Sequence, residues 1–206
     1  MRVYLIRHGE TEQNRKKCLQ GQTDIPLNQN GIWLAEQTGK ALAHIDFDCV
    51  FSSPLTRALE TAKKMIGSKK IPIIKDERIQ EISFGEYEGL CYGKQGYNIP
   101  DPDFLNFFRD PERYNTPPKG ENFADVIART GKFWKELVQD RNREKQNILI
   151  STHGCALNAI LANIRPTKLQ EFWGEGVHAN CAVTIVEVKD GKTEILKEGK
   201  ILYQTD

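Results

Sequence analysis

Residues 1–11 read MRVYLIRHGET: a short apolar run, Val3 to Ile6, breaks abruptly into Arg7, His8, Gly9 and Glu10. Branched and aromatic residues in so short a run mark a buried strand, and the polar break marks its carboxyl end. The pattern occurs twice more. Cys49 to Ser52 runs into Ser53-Pro54, and Ile148 to Ser151 runs into Thr152-His153-Gly154. Between these runs the apolar residues fall at helical spacing. Leu34, Ala35, Thr38, Ala41 and Leu42 form one stripe, with Asn28 or Asn30 as cap; Leu55, Ala58, Leu59, Ala62, Met65 and Ile66 form another behind a Ser-Pro start.

Further along the chain, Ile71 to Ile74 reads as a short strand, and Asn122 caps a long helix in Asn-x-x-Asp style. Ala156 to Ile164 reads as a further helix. Ala182 to Val188 and Thr193 to Leu196 flank Asp190-Gly191, the signature of a tight hairpin. Glu12 to Leu27 reads as loop. Strands alternating with helices predict an α/β three-layer sandwich, with a mainly parallel central sheet, helices on both faces and an antiparallel edge strand. Residues 82–121, with five prolines and many aromatics, form an irregular insertion, where Phe104, Phe107 and Phe108 share a short helix. One domain over residues 1–206 is the expectation.

Composition excludes several classes. Lys plus Arg total 29 and Asp plus Glu 28, so the net charge is 29 − 28 = +1, with no broad electrostatic footprint for nucleic acid or an anionic membrane. No stretch approaches the ~18 apolar residues of a membrane span. The five cysteines are scattered without a C-x-x-C pair; they read as unpaired and, with no signal-peptide core, point to the cytoplasm. His178 and Cys181 are three apart, but no second ligand pair accompanies them, so no metal site is expected.

The chemistry lies at the strand ends. In an open α/β sheet, ligands bind beyond the carboxyl ends of the strands. Arg7 and His8 follow the first strand, Arg57 sits on the first turn after the second, and His153 follows a later one. Two arginines and two histidines gathered there suit a tetrahedral dianion, because guanidinium groups match phosphate oxygens in pairs and helix N-termini add N–H donors. One neutral histidine can attack phosphorus and split a hard displacement into two easier ones, and nearby guanidinium charge favours that neutral form. The other stabilises the charge that builds on the transferring group.

These blocks resemble the histidine phosphatase superfamily, also called the phosphoglycerate mutase-like family. The resemblance runs through Arg7-His8-Gly9-Glu10-Thr11 and Asn14, Leu19-Gln20-Gly21, Asp24-x-Pro26-Leu27 and Ser52-Ser53-Pro54-Leu55-x-Arg57-Ala58-x-x-Thr61-Ala62. It continues through Glu81-Ile82-x-x-Gly85-x-x-Glu88-Gly89, Gly120-Glu121 and Thr152-His153-Gly154. It implies His8 as phosphoryl acceptor, Arg7, Arg57 and His153 as the clamp, and Glu81 as proton donor. Asn14 would donate to a phosphoryl oxygen, and Gln20, Gly21, Thr23 and Gly154 would border the substrate. The Gly9 carbonyl would accept from one ring nitrogen of His8 and so present the other. His44 and His178 read as ordinary surface or packing residues. Gln13, Tyr87 and Asn122 depart from the family's usual Trp, Trp and Ser and alter the rim without removing a catalytic group.

The same resemblance implies a phosphatase acting on small phosphomonoesters, with no cofactor. The alternative is a phosphoglycerate mutase, which would bring 2,3-bisphosphoglycerate as cofactor; a catalytically silent phosphate-binding module is a third. The family's mutases typically carry a longer insertion and a C-terminal tail over the site, so the compact insertion here favours the phosphatase. The partner is a small-molecule substrate, and the expected state is a monomer or homodimer. Phe104, Phe107, Phe108 and Tyr114 are candidates for an apolar roof; Lys94, Arg109, Arg113 and Lys119 are candidates to read a second anionic group.

Overall fold

The computed structural model describes residues 1–94 and 96–203. The elements in chain order are β1 (Arg2–Arg7), α1 (Glu12–Lys16), α2 (Gln29–Ala41), β2 (Cys49–Ser52), α3 (Thr56–Ile66) and β3 (Ile73–Lys75). After them come α4 (Asn106–Arg109), α5 (Phe123–Gln139), β4 (Asn147–Thr152), α6 (Gly154–Ile164), β5 (Val183–Lys189) and β6 (Lys192–Lys200). The strands lie in the order β3-β2-β4-β1-β5-β6. β1, β2, β3 and β4 are mutually parallel where they pair, whereas β5 and β6 run antiparallel at one edge.

Strand alternation builds the layers. Val3, Leu5, Ile148 and Ile150 pack with Phe133, Trp134 and Leu137 of α5 and Leu157 and Ile160 of α6. Their neighbours Tyr4, Ile6, Val50 and Leu149 pack with Leu34 and Ala35 of α2 and Ala62 and Met65 of α3. This is the expected three-layer sandwich, with two antiparallel strands at its edge. Because β4 is inserted between β1 and β2, the carboxyl ends of all three lie side by side. A third cluster, rich in aromatics, gathers Phe84, Phe104, Phe107, Phe123, Phe172 and Trp173 above that edge of the sheet.

The structure corrects five sequence expectations, the first being that Phe104 lies in the turn before α4 and so shares no helix with Phe107 and Phe108. The Glu12–Leu27 stretch holds α1, whose Thr11 and Asn14 side chains reciprocally cap each other's backbone N–H. The helix buries no residue, so it leaves no apolar stripe to read. β3 lies two residues later than Ile71. α3 opens at Thr56 after Leu55, not at the Ser-Pro pair. Finally, Cys18 and Cys91 are joined in a disulfide. Backbone bonds from Leu19 N–H to the Leu90 carbonyl (2.8 Å) and from Tyr92 N–H to the Lys17 carbonyl (2.9 Å) zip the two segments together. The cysteines are 73 residues apart, which no spacing pattern reveals, and their pairing removes the cysteine argument for a cytoplasmic location. Among the described residues, no helix is long and apolar enough to cross a membrane.

Candidate active site

His8 leaves the end of β1 with its backbone held on both sides. Its N–H donates to the Thr152 carbonyl of β4 (2.9 Å), and its carbonyl accepts from the Asn180 amide (2.9 Å). The next turn is fixed by close approach. A Cβ on Gly9 would fall 2.5 Å from the Gly31 carbonyl oxygen, and one on Gly31 would fall 2.1 Å from that of Glu10, so α2 packs backbone to backbone against the loop. Gly9 N–H donates to Thr61 Oγ1 (2.9 Å), whose hydroxyl donates to the Arg57 carbonyl (2.7 Å). One short chain of bonds thus locks the histidine loop to the helix that carries an arginine.

Nδ1 of His8 lies 2.6 Å from the Gly9 carbonyl. A carbonyl can only accept, so Nδ1 carries the proton and Nε2 keeps its lone pair. Burial, then the positive charges of Arg57 and Arg7, holds the imidazole well below its usual range and therefore neutral. His153 is fully buried with its ring centroid 5.2 Å from that of His8, and burial with Arg57 pushes it down likewise. Its Nε2 is 2.8 Å from Ser53 Oγ, which accepts from Leu55 N–H. When the Ser53 hydroxyl donates to Nε2, the proton of His153 sits on Nδ1.

Three buried donors here have no partner among the described residues: Arg7 Nε, Arg57 Nε and His153 Nδ1. Buried polar atoms are normally paired, and three unpaired donors around one histidine match the oxygens of an anion. Both guanidinium groups are anchored elsewhere. Arg7 Nη1 donates to the His178 carbonyl (2.5 Å), and Arg57 donates to the carbonyls of Thr23 (2.8 Å) and Gly21 (2.6 Å). Burial lowers Arg7 and brings Arg57 down to about 10, which leaves Arg57 charged at neutral pH.

Arg7, His8, Asn14, Gln20, Gly21, Arg57, Glu81 and Gly154 line one cavity of about 160 Å³. The oxygen of the Asn14 amide accepts from Thr11, and that of Gln20 accepts from the Thr11 hydroxyl (2.8 Å), so both amides have NH₂ groups to offer. The Glu81 carboxyl accepts from the N–H groups of Ile82 (3.0 Å), Cys155 (3.2 Å) and Ala156 (3.0 Å), which fixes it at the start of α6. Thr23 is not on the wall: its hydroxyl is tied to Glu88 (2.5 Å), and only its carbonyl serves, by anchoring Arg57. His153 lies behind the wall, next to His8. No group of three His, Cys, Asp or Glu residues that could hold a metal occurs among the described residues.

Fold and site together define a class: α/β phosphoryl-transfer enzymes with a neutral histidine at the end of a central strand. The model of the histidine phosphatase superfamily (branch 1) matches residues 3–200, and the chain belongs to that family. It is 35% identical to Bacillus stearothermophilus YhfR, whose solved structure superposes with a TM-score of 0.89 over 97% of each chain. A phosphoserine phosphatase from Entamoeba histolytica, solved with phosphoserine, is 26% identical with a TM-score of 0.81 over 97% of each chain. Among curated relatives, putative phosphoserine phosphatase 2 of Hydrogenobacter thermophilus is 29% identical over 98% of this chain and 97% of its own. A 2,3-bisphosphoglycerate-dependent phosphoglycerate mutase of Cytophaga hutchinsonii is 28% identical over 82% of this chain and 80% of its own.

Several residues around the site escape sequence reasoning. Ser53, expected as a helix cap, instead orients His153. His178, expected as packing, lends its carbonyl to Arg7. Arg129 donates to the carbonyls of Arg78 (2.8 Å), Gln80 (2.7 Å) and Glu81 (2.9 Å) and pairs with Glu121 (2.8 Å), which in turn accepts from Ser83 N–H (2.9 Å). This pair cages the segment that presents Glu81. Glu121 stands in the Gly-Glu block, and its partner on α5 lies eight residues on; that block was the available signal.

Proposed function

We propose that the protein hydrolyses small phosphomonoesters through a phosphohistidine on His8. The observation that carries this is the set of three unpaired buried donors beside a histidine whose Nε2 is free. Arg7 and Arg57 hold the phosphoryl oxygens, Asn14 and Gln20 add amide donors, and His153 offers its unpaired Nδ1 from beside His8. Nε2 attacks phosphorus in line, and the P–O bond to the alcohol breaks. Glu81 delivers a proton to the departing oxygen, and its carboxylate then takes a proton from the water that attacks the phosphohistidine. Phosphate leaves, and both His8 and Glu81 return to their starting states.

Mutase activity is the second reading, favoured by the mutase relatives. A mutase must hold a bisphosphorylated intermediate, which needs cations at both ends. Arg7 and Arg57 are the arginines on this cavity, and among the described residues that line it there is no lysine. Coverage supports the hydrolase as well, since the phosphoserine phosphatase relative matches end to end and the mutase over about four-fifths. The test is phosphate release from a panel of phosphorylated metabolites, with and without 2,3-bisphosphoglycerate. Release without that compound is expected. Phosphoryl exchange between the positions of phosphoglycerate, dependent on it and faster than release, would overturn the hydrolase.

A further inference from the structure

Beyond the phosphoryl end, the cavity changes character. Its walls are Leu19, Phe84, Tyr92, Phe107, Phe108 and Trp173, with Val177 at the mouth. The rings form a connected stack: Tyr92 to Phe108 at 5.2 Å, Phe108 to Phe107 at 4.8 Å, and Phe108 to Trp173 at 5.9 Å between centroids. The indole N–H of Trp173 is consumed by the Phe107 carbonyl (2.5 Å), so this ring presents carbon. The cations that would read a second anionic group are elsewhere. Lys119 pairs with Glu86 and Arg113 with Asp110 on the surface, while Arg109 and Lys94 are exposed and off the wall. Apart from the Tyr92 hydroxyl, a substrate carboxylate beyond the phosphoryl end would meet carbon, and among the described lining residues the acidic side chain is Glu81 itself.

We infer that the enzyme selects phosphomonoesters whose alcohol carries an uncharged apolar group, aromatic above all, over the phosphates of amino and hydroxy acids. The inference rests on the hydrolase reading and narrows its substrate class. An aromatic ring seated against Phe108 and Trp173 gains edge and face contacts as well as burial. A charged carboxylate or ammonium would lose water there without a charge of opposite sign on the wall to replace it.

The test uses the full chain and three esters of alkyl alcohols, so that leaving-group basicity does not decide the outcome: 2-phenylethyl phosphate, O-phosphoserine and 3-phosphoglycerate. We expect kcat/KM for 2-phenylethyl phosphate to exceed the other two by at least about tenfold, the scale of a modest apolar contact in such a pocket. Phe108→Ala should lower it by about tenfold, mainly through KM, and leave methyl phosphate little changed. Val177→Lys, at a partly exposed position, keeps the question answerable if Phe108→Ala fails to fold; it should raise turnover of 3-phosphoglycerate relative to the phenylethyl ester. Equal or better turnover of phosphoserine or 3-phosphoglycerate by the parent enzyme overturns the inference and leaves the hydrolase standing. An equal loss for methyl and phenylethyl phosphate in Phe108→Ala overturns the wall's role. Failure of every ester, with no phosphate label on His8, overturns the hydrolase and this inference together.

Discussion

The two halves of the cavity are built by different means. The phosphoryl end hangs on the sheet: His8, Ser53 and His153 each leave the end of a parallel strand, and the backbone N–H groups of His8 and Ser53 donate to carbonyls of β4. The apolar wall hangs on α4, α6, short turns and the Cys18–Cys91 disulfide, with its rings held by one another. The first arrangement fixes donor positions to the tolerance that in-line transfer demands. The second needs only shape and carbon. One end therefore sets the reaction and the other sets what is brought to it.

The largest effect that sharpens this division falls on Glu81. Glu81→Gln keeps the size and an acceptor oxygen for the N–H groups of Ile82 and Ala156, but loses the acceptor facing Cys155 N–H together with the transferable proton. Phosphorylation by an alkyl phosphate should slow by about 10²–10⁴-fold, with a far smaller loss for nitrophenyl phosphate, whose leaving anion needs no proton. Single-turnover rates separate this step from hydrolysis of the intermediate. Equal small losses for both esters would move the acid elsewhere. Glu86 and Glu88 are poor replacements, since Glu86 pairs with Lys119 on the surface and Glu88 ties the loop around Gln22 and Thr23.

Arg129→Met should come next. It removes three bonds to the backbone that presents Glu81, and small misplacements of a catalytic group cost up to about 10²-fold. The loss should appear in kcat for alkyl esters and, like that of Glu81→Gln, shrink for nitrophenyl phosphate. A loss independent of the leaving group would show that the cage only supports the fold.

The pH dependence follows from the two histidines. Both are held neutral in the folded protein, with values below the unfolded one of about 6.5. Below that pH the unfolded chain binds protons that the folded chain refuses, so stability falls with pH. Each group contributes a slope of up to about 1.4 kcal/mol per pH unit between the unfolded value and its own lowered one. Chemical denaturation from pH 7.5 to 5 checks this, and replacing His153 with Asn should flatten the slope. The imidazole of His8 stays nucleophilic through the same range, so its acid limb in kcat/KM lies below 6.5. The smallest effect is expected from Cys91→Ser, which frees the wall: KM for 2-phenylethyl phosphate should rise while kcat holds. A fall in kcat instead would mean that the disulfide supports the phosphoryl end too.

The same contrast governs what the sequence discloses. Strand ends are legible because a buried strand must be a short apolar run and its exit must be polar; Arg7-His8 and Thr152-His153 stand at such exits. The resemblance adds Glu81, which no periodicity marks. Thr11-x-x-Asn14 carries a capping signal for α1, but without an apolar stripe the segment reads as loop. The Ser53–His153 bond, the Arg129–Glu121 cage and the Cys18–Cys91 link depend on tertiary meetings between distant segments. The wall falls between these cases: the aromatic content of residues 82–121 is plain, but Phe104 and Tyr114 sit in the packed cluster, while Phe107 and Phe108 reach the cavity.

The central claim is the covalent role of His8, and trapping the intermediate tests it most directly. Enzyme mixed with phosphorus-labelled 2-phenylethyl phosphate, quenched in base within a turnover and digested, should carry label on the peptide that contains His8. That label should be stable in base, labile in acid and absent from His8→Ala. Label that persists in His8→Ala, or parent turnover with no labelled enzyme at any time, would contradict the account.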